Sequence, residues 1–232
     1  MRQKAQALEN VEQARARVEI LDELAIAVPA TGLSNSRVVL AFDAVTAGYY
    51  PDRPIIRDLT FSLIGPERIA LVGPNGSGKT TIIRLLDRQL TPLQGTVSVR
   101  VSMAVLDQRA SFLNPKLSVL DNFKRRNPTS SENLCRHTLA SFLFKSDAAL
   151  QTVGTLSGGQ ILRAGLACLL GAPEPPALLI LDEPTNHLDI DSIEAVERGL
   201  NSYDGAILVV SHDEVFLRNV NATRRIELSS NT

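Results

Sequence analysis

Only two cysteines occur in the 232 residues, Cys135 and Cys168, and they have no metal-ligand spacing. A cysteine-built zinc site and a disulfide scaffold are therefore both excluded. The pair reads as buried or inert thiols of a reducing compartment. No apolar run approaches the ~20 residues that a membrane-spanning helix needs. The chain begins Met1-Arg-Gln-Lys-Ala-Gln, without the apolar segment of a secretory signal, so a cytoplasmic location is the expectation. Excess charge is missing too: 24 Lys and Arg against 25 Asp and Glu leave a net −1, which gives no global pull on nucleic acid. The runs Lys124-Arg-Arg126 and Arg224-Arg225 offer local contact at most, and short basic runs are usually solvated surface.

Core-forming residues are present in quantity. The hydrophobic content of 44% supports one large core, and the length suits one domain with an appendage or two small domains. In residues 1 to about 28, Val11, Ala14, Val18, Leu21 and Ala25 recur at helical spacing, and Pro29 ends the pattern. No capping residue starts it. A helix continuing from a longer one and an ordinary amphipathic helix packed on the domain both fit. Ala30 to Ser36 is a turn-prone linker. Strands are expected at Val38–Phe42, Leu59–Leu63, Arg68–Val72, Gly95–Val99 and Met103–Leu106. From about 109 to 171 the pattern is helical, as in Leu134 to Phe144. Two continuous apolar strands follow at Leu178–Leu181 and Ile207–Val210, with a crossover helix over Asp191–Leu200 between them. The sum is an α/β core with a small β portion in front and a helical insertion.

The most specific chemistry lies at Gly73-Pro74-Asn75-Gly76-Ser77-Gly78-Lys79-Thr80-Thr81. This is G-x-x-x-x-G-K-T, set between an apolar strand and a helical pattern. Glycines bring backbone N–H groups close to a polyphosphate, Lys79 reaches the β/γ-phosphates, and the Thr80 hydroxyl serves a Mg²⁺ ion. Such a loop binds ATP or GTP. The strand at Leu178 ends in Asp182-Glu183. Asp182 supplies a second Mg²⁺ partner. Glu183, pointing elsewhere in the strand alternation, is placed to polarise a water over the γ-phosphate. Leu156-Ser157-Gly158-Gly159-Gln160 precedes a helix and forms a second anion site or a plain helix cap. One triphosphate is already held by the first loop, so a second phosphate reader suggests two domains sharing each nucleotide.

These motifs, with a later Ser211-His212-Asp213, occur in the order found in ATP-binding cassette (ABC) ATPases, which the chain resembles from about 38 to 228. The resemblance implies a P-loop NTPase fold with a RecA-like core, an antiparallel β subdomain and a helical subdomain bearing the Ser157 loop. It also implies ATP and Mg²⁺ as ligands. By position, Tyr50 matches the aromatic that stacks on adenine, with Tyr49 competing. Gln108 matches the glutamine that contacts Mg²⁺ and water. Asp189 matches the residue communicating across the dimer, and His212 the histidine near the γ-phosphate. Asn186-His187, where transporter ATPases more often have Ser-Ala, makes the chain similar to ABC-F proteins. These carry two cassettes joined by a helical hairpin and act on ribosomes in translation or antibiotic protection. Residues 1–36 then resemble the end of that hairpin with its connector, and 37–232 the second cassette. A missing first cassette or a second copy of the chain is the implied partner. The competing readings are the ATPase subunit of a membrane transporter, and an ATP-gated clamp without turnover, against which Glu183 argues.

Overall fold

The computed structural model describes residues 28–186 and 188–229. The N-terminal helix expected up to about residue 28 lies almost wholly outside the described residues, as does His187. Two sheets organise the remainder. One is antiparallel, in the order β2 (Ile56–Ile64), β1 (Val38–Ala47), β4 (Gln94–Val99). The other is a five-stranded parallel sheet whose order is β5 (Met103–Leu106), β6 (Leu178–Asp182), β7 (Ala206–Val210), β3 (Arg68–Val72), β8 (Arg224–Glu227).

The parallel sheet explains why Leu178–Leu181 of β6 and Ala206–Val210 of β7 are continuously apolar. Side chains alternate across a strand, so a sheet covered on both faces buries every one of them. Leu178 and Ile180 of β6, with Leu208 and Val210 of β7, join one core, which includes Phe42 and Leu63 of the antiparallel sheet. Leu179, Leu181, Ile207 and Val209 face the opposite way, into a second core filled by the helices. Helix α1 (Lys79–Leu86) belongs to the first core through Ile82, Ile83, Leu85 and Leu86. Helices α2 (Val119–Arg126), α3 (Glu132–Ser141), α4 (Gly158–Leu170), α5 (Ile190–Asn201) and α6 (Glu214–Asn219) supply the second. Short 3-10 turns at Ser146–Leu150 and Val153–Thr155 link α3 to α4. The region from 109 to 171 is thus helical among its described elements, as the sequence pattern implied.

Cys135 and Cys168 are free and buried in this second core, and burial pushes the Cys168 thiol up to about 12. Arg68 ties the sheet to the helices: its guanidinium donates to the carbonyls of Leu200, Tyr203 and Val220, each at 2.8 Å. Both basic runs are partly engaged in intramolecular contacts, though their side chains stay accessible. Lys124 pairs with Glu132 at 2.8 Å, Arg126 stacks over the Phe112 ring, Arg224 pairs with Glu67, and Arg225 with Glu214.

Candidate nucleotide site

Helix α1 differs from the other described α-helices at its start. Ser118, Ser131, Ser157, Asp189 and Asp213 each accept a backbone N–H at the head of α2 to α6. The head of α1 has no side-chain cap. Its N-cap residue is Gly78, in the left-handed region at φ 106°. The N-terminal amides of a helix need partners, and here they are left for an anion. Gly76, at φ 82°, makes the tight turn before it. Ser77 Oγ is buried without a hydrogen-bond partner. Lys79 Nζ folds back on its own loop, donating to Gly73 O at 2.6 Å and Pro74 O at 3.2 Å. A cation resting on carbonyls can exchange them for phosphate oxygens.

Above this loop is a cavity of about 320 Å³, lined among others by Tyr49, Asn75, Gly76, Gly78, Lys79, Thr80, Thr81, Asp182 and Glu183. Burial raises the Asp182 pKa first, Glu183 and Asp107 raise it further, and only Lys79 opposes them. A site that crowds carboxylates beside a hydroxyl suits a divalent cation, so Thr80 and Asp182 fit Mg²⁺. Among the described residues no group of three or more His, Cys, Asp or Glu side chains could hold a metal alone.

Glu183 is not placed by strand alternation. β6 ends at Asp182, and Glu183 takes φ 48° while its N–H donates to Val210 O at 2.8 Å. This left-handed residue brings its side chain to the same cavity as Asp182. His212, just beyond β7, lies with Nε2 3.4 Å from Glu183 Oε1.

Other expected residues sit elsewhere. Tyr50 is 67% exposed, bridges to Arg53 through the backbone, and is outside the cavity lining; Tyr49 lines it. Gln108 is exposed in the turn after β5 and also lies outside the lining. Its neighbour Asp107 is the group that acts on Asp182, a contribution the sequence pattern did not single out. None of Ser157, Gly158, Gly159 or Gln160 lines the Lys79 cavity. Ser157 and Gln160 form a capping box, Ser157 N donating to Gln160 Oε1 at 2.9 Å and Gln160 N to Ser157 Oγ at 3.3 Å. Asp189 caps α5, accepting from Ser192 N at 2.8 Å, and this bond lowers its pKa. A Cβ on Gly159 would run into Ser192 and approach Asp189, so the two loops pack together.

Comparison with known proteins agrees with this geometry. The ABC transporter family model matches residues 56–186. The putative ATP-binding protein YdiF of Bacillus subtilis is 42% identical over 83% of this chain and 30% of its own length. The ATP-binding protein Uup of Haemophilus influenzae is 39% identical over 72% of this chain and 26% of its own. The probable ATP-binding protein YheS of Escherichia coli K12 is 32% identical over 89% and 34%. The chain thus spans about a third of the length of these curated relatives. A bacterial Atm1-family ABC exporter with ATP bound superposes at TM-score 0.70 with 21% identity, covering 89% of this chain and 40% of that one. A dimeric post-hydrolysis ATP-binding cassette bound to ADP and Pi superposes at 0.68 with 20% identity, covering 83% and 97%. With loop, carboxylates and relatives in agreement, the chain belongs to the ABC transporter family, as an ATP-binding cassette related to proteins of the ABC-F type.

Proposed function

We propose that residues 37–232 form a Mg²⁺-dependent ATP-hydrolysing cassette, with a helical subdomain at about 109–171, that works only against a second cassette. The observation carrying this reading is a division. Phosphate loop, acids and Tyr49 surround one cavity, while the Ser157 loop stands apart from it. A loop that reads a γ-phosphate from outside its own nucleotide cavity must do so on a neighbour's nucleotide.

Within one site the roles follow from position. The free amides of the α1 head and Lys79 hold the phosphates, and Tyr49 stacks on the adenine. Thr80 and Asp182 would hold a Mg²⁺ ion, which would supply positive charge against the phosphates. Glu183 accepts the proton of the water that attacks the γ-phosphate, and His212, beside Glu183, meets the γ-phosphate oxygens. Gln108 would contact the metal and water, and Asp189 the partner cassette, only once the dimer closes. Gly73, Pro74, Asn75, Gly76, Ser77, Gly78 and Thr81 complete the cradle.

The relatives support an ABC-F setting, and so does Asn186 after the acids. We therefore propose action on the ribosome, in the cytoplasm, with residues 1–36 as the end of an interdomain linker. Glu183→Gln keeps shape and hydrogen bonding but loses the base, so hydrolysis falls roughly 10²–10⁴-fold and an ATP-closed state accumulates. That variant is expected to co-sediment with ribosomes in ATP and to stay in the supernatant without nucleotide. Equal sedimentation in both conditions, or none in either with a partner cassette present, would remove the ribosomal reading while leaving the cassette chemistry untouched.

A further inference from the structure

We infer that Arg84 is a positioning residue for the adenine base, acting through Tyr49; this rests on the reading of Tyr49 as the base platform. Arg84 lies in the last turn of α1. Its guanidinium carbon stands 5.3 Å from the centroid of the Tyr49 ring, and its Nη1 donates to Tyr49 Oη at 2.9 Å. Contact with the ring and with the hydroxyl constrains both the tilt of the phenol and the direction it points. Tyr49 is 46% exposed, and so needs such a restraint to hold one orientation in solvent. Tyr50, next in sequence, is more exposed and makes no such contact among the described residues.

The guanidinium also leaves the cavity lining to Tyr49. Tyr49 lines the nucleotide cavity, whereas Arg84 does not; Arg84 lines a neighbouring cavity, and Thr80 and Asp182 line both. Arg84 thus holds the ring and its hydroxyl without itself lining the cavity that Tyr49 lines. Among the described residues Arg84 forms no ion pair that would draw it away. The same helix begins at Lys79 and Thr80, which serve the phosphates. Arg84 is five residues further on, roughly 7.5 Å along the axis at the usual rise. One rigid helix thus sets the spacing between the phosphate end of the site and the base end.

The test compares ATP with inorganic tripolyphosphate, which offers the phosphates and no base. Arg84→Ala is expected to weaken ATP binding roughly two- to fivefold, the scale of an exposed cation–π contact, and to leave tripolyphosphate affinity unchanged. Tyr49→Ala should weaken ATP by roughly tenfold or more through loss of stacking. In the Tyr49→Ala background, Arg84→Ala should have no further effect, because its only route to the base has gone. Equal losses for ATP and tripolyphosphate would overturn the inference, and so would the same Arg84→Ala loss with and without Tyr49. A Tyr49→Ala protein that binds ATP like the wild type gives a different result: it removes the platform itself.

Discussion

Burial holds the Asp182 carboxyl above its ordinary value of 3.8, Glu183 and Asp107 push it further the same way, and Lys79 opposes them. A carboxyl whose folded-state pKa exceeds the unfolded one binds its proton more tightly in the native protein. The resulting penalty is absent below the unfolded value and complete once the pH has risen past the folded one. Asp182→Asn removes the titration, so the ligand-free variant is expected to melt higher than the wild type at neutral pH. The gap should close as the pH falls toward about 4. With ATP and Mg²⁺ present the order should reverse, since the amide no longer offers a charge to the cation. Identical melting curves at every pH would show that burial imposes nothing on this carboxyl. Lys79 tests the other half of the site. Saturating ATP, at a hundredfold excess over Kd, protects a folded binder by roughly 2.7 kcal/mol. Lys79→Ala should lose that protection in a thermal shift, and protection equal to the wild type would remove the loop assignment.

Helix α4 carries the Ser157 loop and is held by close approach on two sides. A Cβ on Gly165 would lie 2.7 Å from both Ala110 Cβ and Leu106 Cδ1, and one on Gly199 of α5 would lie 2.8 Å from Phe142 Cε1 and 3.0 Å from Leu166 Cδ2. Gly165→Ala overpacks this seam and is expected to cost roughly 1–3 kcal/mol, read as a lower denaturant midpoint. ATP binding should persist in the folded fraction, because Gly165 is not in the nucleotide cavity. An unchanged midpoint would mean that the seam yields freely. Legibility also divides at this scale. β3, β6 and β7 were readable because burial on both faces leaves an unbroken apolar run. β8 was not: it reads Arg224-Arg225-Ile226-Glu227, its pairing with β3 comes from tertiary structure, and Glu67 and Glu214 satisfy its arginines. α6 has six residues, too few to show a helical period. The phosphate loop was legible because its chemistry is local. Tyr49 over Tyr50 was not, since a contact with Arg84, 35 residues away, distinguishes them. The aim of Glu183 escaped for a similar reason, as it depends on a φ of 48° rather than on strand alternation.

At the scale of the whole molecule, no residue of the Ser157 loop lines the Lys79 cavity, and that separation makes the proposed dimer testable. The Ser157 loop is already complete as a cap: Ser157 and Gln160 satisfy each other, and Gly159 packs on the Asp189–Ser192 cap of α5. It therefore needs no nucleotide of its own to hold its shape, and presents a formed surface to a neighbour. If hydrolysis requires that closure, ATP binding should follow the Lys79 site of each chain separately, while turnover should follow encounters between chains. Specific activity is then expected to rise with protein concentration, or on adding a first cassette, until the dimer is populated. Ser157→Arg puts bulk and charge where two surfaces and a phosphate meet. It should leave ATP binding intact and hold the protein monomeric by sedimentation in the Glu183→Gln background. Specific activity that stays constant in a verified monomer, and is unaffected by Ser157→Arg, would sink the two-cassette site and leave a cassette that hydrolyses ATP alone.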